Sequence, residues 1–358
     1  MTSEHENIFA IRLKLARKLA GLSLQELADK LENKVTKQAL SKYEMGQMNP
    51  STAVLLALSN VLRVRPDYFL NKNQVNLENI DFRKRAGLSK KNEDSIIERA
   101  RDYVERHNQI EHILGLTHVF KNPINDIVIY NDNDVEKAAS QLRSEWQLGL
   151  APIVNIVEML ELKNIKIILI EDVDEVDGLA AFTSTGLPVI VVNIKGRSIE
   201  RIRFTIIHEL AHLLLILSDD LRIEKKKVEE LCHYFSSCFL LPSEVLIKML
   251  GGNNRTYINI KELINIKEYV GISIKAIVHR ARKMEIITDT YYQKWMVYMS
   301  KTYGGKGEPG NYKGEERSSV MEQMVGRALS EDLISISKAA AICNISVNEV
   351  RNKFRSVN

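Results

Sequence analysis

The residues with the clearest chemistry lie between Ile199 and Pro242. There the chain reads Ile206-Ile207-His208-Glu209-Leu210-Ala211-His212-Leu213-Leu214-Leu215. Histidines four positions apart share one face of an α-helix, a turn apart, and can grip a single metal ion. Glu209 stands about 100° further round that helix, near such an ion yet free to hold a water. Everything else from His208 to Leu217 is apolar, so the helix is expected to be buried. Two imidazoles and a carboxylate in a core are costly unless a partner satisfies them, and a bound cation would. A four-coordinate catalytic zinc takes three protein ligands and keeps one position for water. The segment from Lys227 to Pro242 supplies candidates for the third. It reads as a second helix, apolar at Leu231, Tyr234, Phe235, Cys238 and Phe239, and Glu229 or Glu230 opens it after a loop long enough for an antiparallel return.

Arg203-Phe204-Thr205 ahead of the two-histidine helix, a glutamate six before Phe235, and the ending Leu240-Leu241-Pro242 together resemble the ImmA/IrrE family of bacterial metallo-endopeptidases. The resemblance implies Zn²⁺ held by His208, His212 and Glu229, with Glu209 as the catalytic residue that takes a proton from the attacking water and returns it to the leaving amine. It also implies a protein substrate, commonly a DNA-binding repressor encoded beside the peptidase. The family usually has asparagine where this chain has His233, which could sit beside the metal as a donor or compete as a ligand. An oxyanion donor is expected as well, from His233 or Tyr234.

These side chains need a frame. The β-branched run Ile165–Ile170, then Gly178–Phe182 and Pro188–Asn193, read as strands of a small sheet feeding the metal-binding helix, the general layout of zincin peptidases. Helices are expected at Val135–Leu148 and Ile153–Leu162. Arg201 and Arg203 are placed to fix the entry of the two-histidine helix rather than to do chemistry. Asp177-Gly178 resembles the family's stretch near the substrate cleft. The helical pair around Gly271–Ala281, capped by Ser273, reads as structural, and His279 lies too far along the chain to be an expected ligand.

A second motif occupies the N-terminus. Ile8, Ile11, Leu15 and Leu19 repeat at helical spacing up to Gly21. Ser23 caps Leu24–Leu31 with Glu26 as capping-box partner, and Thr36 caps Lys37–Glu44. Gly46 and Pro50 end that helix, and Ser51 starts another through Leu62. Two short helices with a tight joint form a helix-turn-helix. Gln25-Glu26-Leu27-Ala28 and Ser41-Lys42-Tyr43-Glu44 resemble the XRE/Cro-type DNA-binding domain. Laid in the major groove, its recognition helix would offer Lys37, Gln38, Ser41 and Lys42 to double-stranded DNA: Gln38 suits adenine, and lysines suit guanine or phosphate. Leu40 and Tyr43 read as core.

Phe82-Arg83-Lys84-Arg85 and Lys90-Lys91 form a basic patch, followed by a charged helix over Ser95–Leu114. Gly304–Gly310 is the clearest linker, with helices at Val320–Leu329, Ile336–Cys343 and Val347–Phe354 beyond it. The expected architecture is multi-domain and mainly α. It joins an all-α helix-turn-helix domain (1–72), a charged connector (73–133), an α+β zincin-like metallopeptidase domain with a small sheet (134–300) and a helical C-terminal module (311–358). A net charge of +4 over 358 residues decides nothing globally. Three cysteines, Cys232, Cys238 and Cys343, imply no disulfide framework and favour the cytoplasm. The absence of a long apolar run excludes a membrane span. Two functions compete. One is a DNA-binding regulator with a working zinc endopeptidase that cuts a partner; the other is a DNA-binding regulator or antitoxin whose peptidase-like domain only grips a repressor or toxin. Such domains read paired half-sites, so a homodimer is plausible.

Overall fold

The computed structural model describes residues 7–32, 34–71, 75–82, 89–117, 119–171, 176–304 and 307–354, with backbone alone for 79–82. The basic patch at Arg83–Arg85 lies outside the described residues.

The N-terminal unit packs α1 (Ile8–Leu19), α2 (Leu24–Lys30), α3 (Lys37–Glu44), α4 (Thr52–Leu62) and a 3₁₀ turn, Pro66–Leu70, around Leu13, Leu27, Leu40, Leu58 and Phe69. The predicted capping box closes, with Glu26 N bonded to Ser23 Oγ at 3.2 Å and Ser23 N to Glu26 at 2.6 Å. The helix expected from Ile8, Ile11, Leu15 and Leu19 is present with those four half-buried, but its fully buried face carries Ala10, Arg12, Leu13 and Ala16.

The reason is the next helix. α5 runs over Lys90–Ile113, starts earlier than the sequence implied, and packs along α1. Arg12 reaches across to Glu105 at 2.6 Å, with both side chains buried, and Ser95 Oγ donates to Leu19 O at 3.1 Å. α1 is thus covered on two sides.

The connector also enters the sheet. β1 (Leu77–Phe82) pairs antiparallel with β4 (Gly178–Thr183), β4 antiparallel with β5 (Pro188–Asn193), and β5 parallel with β3 (Lys166–Ile170), giving the order β1-β4-β5-β3. A short parallel pair, β2 (Val128–Ile129) with β6 (Ile216–Leu217), lies apart. Period-2 alternation decides what covers each face. Ile168, Ile170, Leu179, Val189 and Val191 pack on Ile96, Ala100 and Val104 of α5, while Ile167, Ile190 and Val192 join the large core on the other side. Lys166 follows the α5 parity and is fully buried there, 2.6 Å from Glu111 and 3.0 Å from His107 Nδ1.

The large core is built by α6 (Asp132–Glu145), α7 (Ile156–Leu162), α8 (Ile199–Leu214), α9 (Asp219–Ile223), α10 (Lys225–Leu240), α11 (Ser243–Leu250), α12 (Ile260–Val270), α13 (Ile274–Lys283) and α14 (Asp289–Tyr303). The C-terminal module, α15 (Val320–Ser330), α16 (Ile336–Cys343) and α17 (Val347–Lys353), packs against α5 through Ile110, and Arg106 donates to Ile342 O at 2.9 Å. The segment leading into it is a docked strap rather than a free linker. Glu308 accepts from the N–H groups of Ile274 and Lys275, and Glu316 is buried against Arg203. Among the described residues no helix is long and apolar enough to cross a membrane.

Candidate metal centre and nucleic-acid face

Ser198 caps α8, its Oγ accepting from Arg201 N at 3.4 Å, and the helix lies against β4 and β5. Three buried arginines then fix the helices that carry the site. Arg203, on α8, donates to Gly271 O at 3.0 Å, Ile153 O at 2.7 Å and Val270 O at 3.2 Å, and forms an ion pair with Glu316. Gly271 is glycine for a double reason: its φ is +74°, and a Cβ there would lie 2.6 Å from Arg203 Nε. Arg143 donates to Phe239 O at 2.7 Å and Arg280 to Leu241 O at 2.6 Å, which holds the C-terminal end of α10. Arg201 pairs with Asp177, as does Arg197. Both Arg201 and Arg203 therefore position elements, in keeping with their expected role.

α8 and α10 pack closely, and the expected residues meet between them. His208 Nε2 is 3.3 Å from Glu229 Oε2, and His212 Nε2 is 3.8 Å from Glu229 Oε1. The imidazoles of His208 and His212 stand edge to face, centroids 5.1 Å apart. Glu230, the alternative opener of α10, lies 3.8 Å from Lys227 and lines the cavity on the far side of His233 rather than joining the clustered ligand atoms.

The donor set fits a divalent cation. Ligand atoms about 2.1 Å from a tetrahedral zinc lie about 3.4 Å apart, close to the separations observed at Glu229. His212 Nε2 is buried and, among the described residues, without a hydrogen-bond partner, a lone pair that coordination to an ion would satisfy. His233 was left open by the sequence and belongs to this cluster. Its ring stacks on His208 at 4.2 Å, and its ligand atom groups with those of His208 and Glu229 within 4.8 Å. Among the described residues the ligand atoms that all lie within 4.8 Å of one another are those of His208, Glu229 and His233, while His212, on α8 one turn after His208, reaches the group through Glu229 alone at 3.8 Å. His212 is largely buried with its side chain 10% exposed, whereas His233 is exposed at the rim. Of the two expected oxyanion donors, Tyr234 is engaged elsewhere, its hydroxyl donating to Glu136 at 3.0 Å. His279 lines a cavity beside His233 and is not among the clustered ligand atoms.

Glu209 is 2% exposed and faces the start of β4. A Cβ at Gly178 would lie 2.6 Å from Glu209 Oε1 and 2.8 Å from its Cγ, so only glycine lets the carboxylate lie across the strand. Asp177-Gly178, singled out in the sequence, is therefore the strand end against which Glu209 is set.

On the N-terminal unit, Lys37, Gln38 and Lys42 are exposed along α3 and Ser41 is half-exposed, while Leu40 and Tyr43 are buried beneath them. Thr36 caps this helix, and Arg17 clamps its end through Glu44 at 2.6 and 2.8 Å. Glu32, in the connector between α2 and α3, takes the left-handed conformation (φ 55°) in which glycine is usual.

The family model described as helix-turn-helix matches residues 13–69, and the one described as IrrE N-terminal-like domain matches residues 162–282. Among curated proteins, the chain is 43% identical over 68 residues to the HTH-type transcriptional regulator ImmR of Bacillus subtilis (strain 168), covering 19% of this chain and 52% of that protein. It is 41% identical over 63 residues to the SPbeta prophage-derived HTH-type transcriptional regulator YonR of the same organism, covering 18% of this chain and 56% of that protein. The chain spans about half the length of the curated relatives it matches. It joins an N-terminal helix-turn-helix domain, of the kind these transcriptional regulators carry, to an IrrE N-terminal-like domain.

Proposed function

We propose that this chain is a DNA-binding regulator fused to a zinc-dependent endopeptidase that cleaves a partner regulatory protein in the cytoplasm. The observation that carries the reading is the meeting of His208, His212 and Glu229 beside a Glu209 carboxylate seated on Gly178. His208, His212 and Glu229 would hold the ion through two Nε2 atoms and a carboxylate oxygen. When bound, zinc acidifies a water and polarises a peptide carbonyl.

Glu209 supplies the proton handling. Its carboxylate accepts the proton of the attacking water at Oε1 or Oε2 and hands it to the departing amine nitrogen. Gly178 leaves the room in which that carboxylate lies against β4, and the Arg203 anchor on α8 holds the helix on which the histidines and Glu209 ride. His233, exposed at the rim, can donate from its imidazole to the oxygen of the carbonyl under attack. Nucleic acid is taken by the other end of the chain. Gln38 and Ser41 face the base edges, Lys37 and Lys42 face phosphate or guanine, and two copies read paired half-sites.

The test uses purified full-length protein and the regulator or toxin encoded beside it. Wild type is expected to cut that partner, and Glu209→Gln to lose cutting while keeping zinc. Tight binding of DNA and partner with no cutting by wild type would favour a regulator or antitoxin that only grips its partner.

A further inference from the structure

We propose that the cavity beside His233 takes an acidic side chain of the protein substrate, next to the bond that is cut. This rests on the peptidase reading and extends it to the class of sequence recognised. The cavity, about 520 Å³, opens between α8, α10 and α13. His233 belongs both to its lining and to the group of ligand atoms with His208 and Glu229, so the cavity begins where the metal-side cluster ends. A peptide held at the cluster has a neighbouring side chain within reach of it.

Its chemistry is two-sided. Phe204, Tyr234 and Ala276 give apolar walls, while Lys227, Lys275 and Lys283 add ammonium groups. Two acids also line it, and their positions decide the balance. Asp132 is paired with Lys283, and Glu230 is 3.8 Å from Lys227. Lys275 forms no ion pair among the described residues. The nearby carboxylate of Glu308 is already held by the N–H groups of Ile274 and Lys275 at 2.7 and 2.9 Å. The cationic surplus is felt inside the cavity. Burial first, and then the charges of Lys283, Arg282 and Lys275, hold the His279 imidazole below its ordinary range against the opposing Asp132. An anion is therefore favoured there, and apolar walls suit one carried on methylenes. Glutamate meets both requirements.

The experiment selects peptides from a randomised library on immobilised, zinc-loaded, full-length Glu209→Gln protein, so that binding is read without cutting. One position enriched in glutamate by about fivefold is expected, the scale of an ion pair near a surface. The enrichment should vanish in the Glu209→Gln/Lys275→Met double variant and turn toward lysine or arginine with Lys275→Glu. Lys275 is exposed in the first turn of α13, so both changes leave the fold intact. Capture of no peptide, absence of an acidic position, or an acidic preference that Lys275→Glu leaves unchanged overturns the proposal. A preference that follows Lys275, with no cutting of the selected peptides by wild type, supports the pocket and overturns the peptidase reading alone.

Discussion

Glu316→Ala should destabilise the peptidase-like domain although the residue lies far along the chain from the histidines. Its carboxylate is 3% exposed, pairs with Arg203, and accepts from the backbone N–H groups of Ile156 at 2.7 Å and Val157 at 3.0 Å. Breaking a buried ion pair costs about 3–5 kcal/mol because the remaining charge stays in the core. The N–H groups that open α7 would add about 1–3 kcal/mol if they remain dry. Arg203 keeps its carbonyl partners at Gly271, Ile153 and Val270, which holds the sum near the lower end, about 4 kcal/mol. Glu316→Gln, which retains one good acceptor, should cost about half as much. Trp146 and Trp295 are both buried in the large core, so tryptophan fluorescence during urea unfolding follows the affected domain. At an m value of about 1–3 kcal/mol/M, the midpoint of Glu316→Ala should fall by more than about 1 M. A midpoint within about 0.3 M of wild type would show that the strap is not docked in solution and refute the reasoning.

Gly178→Ala would place a methyl carbon 2.6 Å from Glu209 Oε1. Partner cleavage should drop by about 10²-fold or more through loss of the positioned base, with zinc content unchanged; full activity would show that Glu209 works from another orientation. Acid stability tests the α5–sheet contact. Burial raises the Glu111 pKa, but His107 and Lys166 overcome it and hold the group at about 2, below the ordinary 4.5. A lowered carboxylate pKa stabilises the fold above the unfolded value and is lost as pH falls toward the folded one. Up to about 3 kcal/mol should therefore disappear between pH 4.5 and 2 in wild type, and a Glu111→Gln melt should be flatter across that window. For DNA, Gln38→Ala should relax base preference at one position at a cost of about 1–3 kcal/mol, while Lys42→Ala should weaken all sequences and lower the salt slope by about one. Gel-shift titrations at several salt concentrations separate the two.

Local rules made parts of this molecule readable in advance. Ser23, Thr36, Ser51 and Ser273 cap the helices they were expected to cap, because a cap depends on residues three apart. The strand Pro188–Asn193 has its expected bounds, and the histidines of α8 face the carboxylate of α10. What escaped is tertiary. The helical spacing of Ile8, Ile11, Leu15 and Leu19 gives no hint that Arg12 is buried, which follows from Glu105 of α5 lying opposite. Residues 77–82 gave no strand signal strong enough to place them beside β4, and the partner strand supplies the reason for their conformation. Lys166, His107 and Glu111 look like solvated charges in the sequence, and only the face of β3 turned to α5 brings them together. Glu316 falls in the stretch assigned to the helical C-terminal module, and its burial follows only from Arg203 and the N–H groups that open α7. His233, by contrast, was already singled out beside the metal, and its place one turn after Glu229 on the same helix face is what puts it there.

Zinc stoichiometry tests the central claim most directly. Full-length protein, Glu209→Gln, His208→Ala, His212→Ala, Glu229→Ala and His233→Asn would be dialysed against trace zinc and counted by atomic absorption. One zinc per chain is expected in wild type, Glu209→Gln and His233→Asn, with loss in the other three. Substoichiometric zinc in wild type, or an ion that survives His212→Ala and departs with His233→Asn, would contradict the assignment.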